Sequence, residues 1–342
     1  MLYPFWVRAI AVTTISEQNS LGIQRLFQLA EISNSQLIVI GDMKTPDWKL
    51  NELPKFVHYF SIHEQAKKWP KLSGLLPLNH YARKNLAYLW ALENDVDVLL
   101  DTDDDNYSEV DIFENIPYSY RLYKGSRQWV NAYAHFGRPE IWPRGLPLEE
   151  AFKPLETTEK IESSPEWHCF QSIVDGDPDL DAIGRMLNPQ QHNFVELDPL
   201  VLGNNNFCPT NSQATLWNKR LFPFLYLPIT STFRMTDIWR GIIVYGYQRK
   251  FGIQTVFGKL GFRQERNEHV LAADFIDEIP GHVHNRKIKE ISDTFWGASS
   301  GKISDFEIFR SIYRQLVSVG ILSKMEIACV NQFMDNVNAI NE

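Results

Sequence analysis

Apolar residues recur along this chain in two rhythms, and their alternation predicts an α/β protein. Trp6 to Ile15 is a β-branched, apolar run with the signature of a buried strand. Leu21 to Ile32 then sets Leu21, Leu26, Leu29 and Ala30 at helical spacing and stops at Ser33-Asn34-Ser35. Gln36 to Ile40 is a second short strand, and Val57 to Ile62 is a further one. Strand, helix and strand in this order predict a parallel sheet. Pro77 to Glu93 carries Tyr81, Leu86, Ala87, Leu89 and Trp90 in a helical pattern that runs straight into an apolar strand at Val96 to Leu100.

Beyond residue 110 the pattern loosens. Pro139, Pro143 and Pro147 exclude a long helix between Gly137 and Pro147. Glu156 to Glu166 is polar and charged, and a mobile loop is expected there. Asp175 to Asp181 combines Asp-Gly and Asp-Pro turn chemistry, so capping of a helix from Leu180 ranks above a second metal site. Thr236 is expected to cap the helix after it and to place Asp237 in the first turn, where the helix dipole favours a carboxylate. From Ile303 the pattern is helical to the end.

Composition narrows the class. The 342 residues are ample for a large core, and a charged fraction of 22% is ordinary for a soluble globular chain. A net charge of −8 argues against non-specific nucleic-acid binding. The three cysteines are far apart and form no CxxC pair, so neither a zinc ribbon nor a disulfide framework is supported. No secretory signal and no run of transmembrane length is visible. A cytoplasmic protein is expected, with peripheral contact at the inner face of a membrane left open.

The densest chemistry lies at the end of the apolar strand, where Asp101, Asp103, Asp104 and Asp105 fall within five residues. Carboxylates so close repel one another unless solvent or a cation compensates. Ligands of open α/β sheets bind at the carboxyl ends of strands, and oxygen-rich sites suit Mg²⁺ or Mn²⁺ bridging to phosphates. A metal–diphosphate site with Asp101 and Asp103 as a DxD pair is therefore expected, against the blander alternative of a solvated acidic turn. An EF-hand loop fails, because Asn106 and Ile112 stand where Gly and Glu are needed. An aspartyl-phosphate phosphatase also carries DxD after a strand, but Asp105 stands where that family usually has Thr or Val.

Other stretches offer supporting groups. In the loop Gly41 to Pro46, Asp42 and Lys44 suit a nucleoside and its phosphate, or merely a turn. Arg83 and Lys84 are within reach of a diphosphate, although surface salt bridges are the usual fate of such a pair. Asn204 to Thr215, with Asn206 and Gln213, is rich in amides and hydroxyls that hold sugar hydroxyls while staying neutral. Asp237 suits a carboxylate base, an anchor for a hydroxyl, or plain helix stabilisation. His269 and His284 are candidate metal ligands, with a structural role the more common fate of such a histidine.

Several of these stretches occur in a familiar order: Gly41 to Trp48, Arg83-Lys84-Asn85, Asp101-Thr102-Asp103-Asp104, His135-Phe136-Gly137 with Trp142 to Pro147, Asp175 to Asp179, and Phe233 to Gly241. Together they resemble the STELLO family, plant Golgi proteins with a glycosyltransferase-like domain and the microbial relatives of that domain. The acidic motif and Asp237-Ile238-Trp239 are also similar to reversibly glycosylated proteins, the plant nucleotide-arabinose mutases. The resemblance covers roughly residues 6 to 275.

It implies an α/β, GT-A-like fold, with a Rossmann-type nucleotide-binding sheet, a mixed acceptor-side half and a C-terminal helical segment. The expected boundaries are 1–110 and 111–300 for the two halves of one domain and 301–342 for the helical extension. The implied activity is that of a metal-dependent glycosyltransferase using Mn²⁺ or Mg²⁺. Its donor is a nucleotide sugar, UDP-linked favoured, and its acceptor a glycan or lipid-linked molecule of surface polysaccharide or glycoconjugate synthesis. Asp101 and Asp103 then hold the metal and diphosphate, with Asp103/Asp105 as the alternative pair and His269 as a further ligand. Asp42 and Lys44 lie near the nucleoside, and Arg83 or Lys84 assists the leaving diphosphate. Trp142, Asn206 and Gln213 position the sugars. Asp237 matches the place where many inverting GT-A enzymes keep a catalytic carboxylate. The membrane anchor of the plant proteins is not found here, so their Golgi role is not carried over. A nucleotide-sugar mutase and a non-catalytic partner of a glycan-synthesis complex are the alternatives.

Overall fold

The computed structural model describes residues 6–114, 116–117, 119–162, 167–203, 205–265, 270–298 and 303–341. Its first hundred residues follow the hydrophobic pattern. β1 (Arg8–Thr14) and β2 (Gln36–Gly41) are joined by α1 (Leu21–Ile32), which Ser20 caps by accepting from the N–H of Ile23. β3 (Val57–Phe60), α2 (Ile62–Lys68), α3 (Pro70–Leu75), α4 (Asn85–Glu93) and β4 (Val98–Thr102) complete this half. The four strands are parallel in the order β3-β2-β1-β4, the expected Rossmann-type arrangement. Helices cover both faces, which is why Ile10, Val12, Leu37 and Leu100 are wholly excluded from water and the strands read as unbroken apolar runs.

One boundary in this half differs from expectation. The helix foreseen from Pro77 is a loop up to His80, followed by a 3₁₀ turn at Tyr81–Lys84 and then α4. The cause is Asp42, whose carboxylate accepts the backbone N–H groups of Asn79 (2.8 Å) and His80 (2.9 Å). Asn79 sits at φ +52°, outside the right-handed helical region.

The second half supplies β5 (Asn106–Tyr107), β6 (Tyr120–Tyr123), α5 (Ala132–His135), β7 (Thr158–Ile161), β8 (Trp167–Ser172), β9 (Asp175–Gly176) and α6 (Ala182–Leu187). β10 (Leu200–Leu202), β11 (Ala214–Asn218), α7 (Thr236–Phe251), β12 (Gln254–Gly258) and β13 (Arg263–Gln264) follow. The sheet continues past β4 as β11-β8-β12-β10-β6-β7, ten strands in all. β11 runs antiparallel to both β4 and β8, so the sheet is mixed from that point. A second sheet, β5-β13-β9, brings the segment after the acidic run beside residues 263–264.

Three local expectations change. Part of the polar stretch 156–166 is the edge strand β7, paired with β6 from Tyr123↔Thr158 to Tyr120↔Ile161, while residues 163–166 lie outside the described residues. Its charges suit a strand with one open side. Thr236 is the first residue of α7 rather than its cap, and its hydroxyl donates to the carbonyl of Thr232. Asp181, at the end of the second acidic run, caps α6 by accepting from Gly184 N–H at 2.7 Å.

The C-terminal helices are α8 (Leu271–Ala298), α9 (Asp305–Ser318) and α10 (Met325–Asn341). α8 is inverted over its first half, where Asp274 and Glu278 are buried while Phe275, Ile276, Ile279 and Val283 face outward; further on it buries Ile288, Ile291 and Trp296 beside Asn285, Lys289 and Ser292. Gly281 lets it press on the turn before α7, because a Cβ there would lie 2.1 Å from Met235 Sδ. α10 is fixed by buried Glu326, which accepts from Tyr226 Oη, the Thr230 hydroxyl and the N–H groups of Ile229 and Thr230. No helix among the described residues is long and apolar enough to cross a membrane.

One pH effect follows from the strand-linking segment. His135 is half-buried, its Nε2 lies 2.9 Å from the carbonyl of Asp198, and burial holds its pKa below the ordinary 6.5. A histidine with a depressed folded pKa adds stability that is complete above its unfolded pKa and is lost as pH falls through the folded value. The stability gap between the wild type and His135→Gln, measured by urea denaturation, is therefore expected to narrow from pH 7.5 to 5.5. A gap that widens would overturn this account.

Candidate functional site

Where β1 and β4 part at their carboxyl ends, the protein opens a cleft of about 320 Å³. β1 contributes Thr13 and Thr14, the loop after β2 contributes Asp42 and Lys44, and the loop after β4 contributes Asp103, Asp104 and Asp105. Arg144, Gln213, Arg234 and Asp237 come from the second half of the chain. Such a crevice is the topological switch point of an open α/β sheet, where ligands bind.

The acidic run divides by direction. Asp101 is fully buried beneath the cleft and does not line it. Its Oδ1 accepts from Lys84 Nζ (3.0 Å), and its Oδ2 accepts from Arg240 (2.5 Å), Ser212 Oγ (2.7 Å) and Tyr88 Oη (2.9 Å). Burial alone opposes its charge, but Lys84 and Arg240 outweigh it and hold the carboxyl below its usual range. Contrary to expectation, then, the residue sits in a closed ion cluster with its oxygens already engaged. Lys84 shares this fate. Wholly buried, it bridges Asp101 and Asp103 (3.1 Å) instead of facing the opening.

Asp103 does face it, with a third of its side chain exposed. Its Oδ1 accepts from Tyr81 Oη at 2.7 Å and from Lys84. Protein closes around its remaining sides, and this burial pushes its pKa up to about 7, with Lys84 opposing and the Asp105 carboxylate adding to the rise. Asp104 is held by the hydroxyls of Thr14 and Ser16, and Asp105 accepts from Gln264 Nε2 at 2.8 Å. Among the described residues no group of three or more His, Cys, Asp or Glu side chains forms a metal site by itself. The hard carboxylates of Asp103 and Asp105, crowded at the same cleft, nevertheless fit Mg²⁺ or Mn²⁺, which are commonly held by one or two carboxylates, waters and substrate phosphates. His269, the remaining expected ligand, lies outside the described residues.

Opposite the acids, Asp237 lines the cleft but is committed to Arg144. Its two oxygens accept from both Arg144 terminal nitrogens (3.2 and 3.1 Å), and also from Ser212 N–H and Ile238 N–H. Four protein donors thus engage its two oxygens. The other edge of Arg144 is held by Asp179, 2.8 Å from Nε. Asp179 and Asp237 together outweigh the burial that disfavours the guanidinium and raise its pKa well above the ordinary value. Asp237 thus pairs with a cation in the cleft wall.

At the β1–β2 end, Asp42 spends its carboxylate on the 79–80 loop, while Lys44 stands exposed at the cleft. His80 Nδ1 accepts from Ala82 N–H (3.1 Å), which assigns the ring proton to Nε2, and burial keeps the ring neutral by lowering its pKa against the pull of Asp42. Gln213 lines the floor, its amide donating to Gln264 and to the carbonyl of Asp177.

Three expected residues are elsewhere. Arg83 turns away from the cleft into a cage made by Gln65, Ser73 and the carbonyl of Leu76. Trp142 is buried, with its indole N–H on Asp181, so it offers no face to a sugar. Asn206 clips the carbonyls of Gly125 and Arg127. Conversely, Tyr81, His80, Arg144, Phe233 and Arg234 line the cleft and were not singled out as site residues. The available signal for Arg144 was its place in a proline-punctuated segment, where a cation on irregular backbone seldom serves a helix or strand.

No protein-family model matches the chain. Two curated proteins of Arabidopsis thaliana do resemble it. Probable glycosyltransferase STELLO2 is 28% identical over 290 residues, covering 76% of this chain and 36% of the relative. Probable glycosyltransferase STELLO1 is 26% identical over 345 residues, covering 93% and 43%. The chain thus spans less than half the length of either relative. Among solved structures, a mycobacterial protein aligns over 82% of the chain and 74% of its own, with a TM-score of 0.42 and 10% identity. Mouse xyloside xylosyltransferase 1, apo form, covers 82% of both chains with a TM-score of 0.22 and 12% identity. Likenesses that weak carry no argument about fold or activity. On sequence, the chain is similar to the STELLO probable glycosyltransferases over most of its length.

Proposed function

We propose that this chain is a glycosyltransferase whose cleft takes a nucleotide-diphosphate sugar and passes the sugar to a glycan or lipid-linked acceptor. The observation that carries the reading is the position of Asp103, Asp104 and Asp105 at the switch point between β1 and β4. The names of the curated relatives agree with it.

In this reading the nucleoside lies over the ends of β1 and β2, where Lys44 and the Nε2–H of His80 are donors. The diphosphate lies over the acidic loop, and the sugar reaches toward Arg144 and Gln213. Asp103 and Asp105 are the residues that would hold a divalent cation, Mn²⁺ or Mg²⁺. When bound, it neutralises charge that develops on the leaving diphosphate. The chain's own part is preorganisation. Lys84 and Tyr81 fix the Asp103 carboxylate from below, and Asp179 and Asp237 fix Arg144 from both edges, so that its guanidinium is held in place at the sugar end of the cleft before a donor arrives.

The test is calorimetric titration of UDP, GDP, CDP and ADP in Mn²⁺ and in EDTA. One nucleotide, UDP by preference, is expected to bind in Mn²⁺ and to lose that binding in EDTA. No binding of any of the four with Mn²⁺ present would remove the reading in favour of a non-catalytic partner.

A further inference from the structure

Phe233 is out of place for a residue whose purpose is folding. It is 55% exposed, belongs to none of the apolar clusters of the core, and lies in a cleft whose nearby walls are Arg144, Arg234, Asp237 and Gln213. Burying a phenylalanine side chain is worth about 1.5–3 kcal/mol, and most of that is forgone here.

Nor is the ring on a slack loop. It stands on the single 3₁₀ turn Phe233–Met235, closed by Met235 N–H on the carbonyl of Thr232 at 3.0 Å. Thr232 Oγ donates to the carbonyl of Asp277, and Arg234 grips Glu278 with Nε at 2.9 Å and Nη2 at 2.8 Å. The turn is thereby bolted to α8 on either side of the ring. Phe233 meets Tyr81 edge to face, with centroids 5.8 Å apart and planes at 74°. The hydroxyl of that same Tyr81 is on Asp103.

Resting on the glycosyltransferase reading, the geometry points to Phe233 as the platform on which the apolar face of the donor's sugar ring lies. A sugar ring presents C–H bonds on a face and hydroxyls around its edge. It is therefore recognised by one aromatic surface with polar groups beside it, which is the combination at this end of the cleft. Tyr81 links the platform to the acidic loop, so a sugar hanging from a diphosphate over Asp103 comes within reach of the ring. The role that sequence reasoning gave to Trp142 falls to Phe233, since Trp142 has no exposed face. The substrate class implied is a donor whose sugar has a continuous C–H face.

The experiment compares nucleoside diphosphate with the matching diphosphate sugar, UDP with UDP-glucose or GDP with GDP-mannose, on the full chain in Mn²⁺. In the wild type the sugar is expected to add affinity over the bare nucleotide. Phe233→Ala should leave the nucleotide's affinity unchanged and cost the diphosphate sugar about threefold to tenfold. Phe233→Trp should restore the loss, which a merely structural role would not produce. If Phe233→Ala binds both ligands as the wild type does, or weakens both equally, the platform is overturned while the reading of the site stands. If the wild type binds no nucleotide at all, that reading fails first and the platform with it.

Discussion

Asp103→Asn is expected to lower donor turnover at least about 100-fold, the scale on which electrostatic contacts to a reacting group matter, with the fold left intact. Asparagine has the shape of the native side chain and keeps an oxygen to accept from Tyr81 and Lys84, so the local hydrogen bonds survive. What is lost is the negative charge at the mouth of the cleft. Because protein burial already disfavours that charge, its removal should cost little stability. Steady-state turnover of the nucleotide sugar together with urea denaturation decides the matter. Turnover near the wild-type rate would end the assignment of Asp103 to the site.

Asp101→Ala is expected to do the reverse. Lys84 and Arg240 are both fully buried, and Asp101 is the carboxylate they share. Deleting it leaves Lys84 with the one-third-exposed Asp103, takes from Arg240 the carboxylate it is paired with, and strips acceptors from Tyr88 and Ser212. Breaking a buried ion pair from one side costs about 3–5 kcal/mol, a large part of the 5–15 kcal/mol that holds a typical domain together. The urea midpoint should fall sharply, and Lys84→Met in the same chain should recover part of the loss. If Asp101→Ala denatures like the wild type and loses only activity, the residue is a ligand after all and the buried-cluster account is wrong.

These paired variants mark the limit of what the sequence discloses. That a carboxylate cluster terminates a buried strand is visible in the residue order. Which of the carboxylates looks outward is decided by packing partners far along the chain, Arg240 and Ser212 for Asp101, and no local pattern reports them. Arg83 and Lys84 show the same limit. Neighbours on a tight turn point in different directions, so one is caged by Gln65 while the other runs under the acidic loop. The parallel half was legible because its strands are covered on both faces and read as apolar runs. The first half of α8 was not, because Asp274 and Glu278 face inward to Arg234 while Phe275, Ile276, Ile279 and Val283 face outward, and Pro280-Gly281 interrupts what periodicity remains. Asp42, Lys44, Gln213 and Asp237 all reach the cleft, yet for Asp42 and Asp237 the side-chain oxygens are engaged by the protein itself.

The insertion of β11 beside β4 also has a meaning for the chain as it leaves the ribosome. Residues 98–102 are made more than a hundred residues before 214–218, the strand that finally covers them. Should the first hundred residues fold as they emerge, β4 would be the outer strand of a parallel sheet through that interval, with its backbone donors and acceptors open to any stray strand. Charges pointing inward from such an edge discourage a foreign apolar segment from docking. Asp101, with Lys84 already synthesised to pair with it, would supply that discouragement until Arg240 emerges to complete the cluster. In such a chain, the aspartate that anchors the finished protein would also guard the unfinished one.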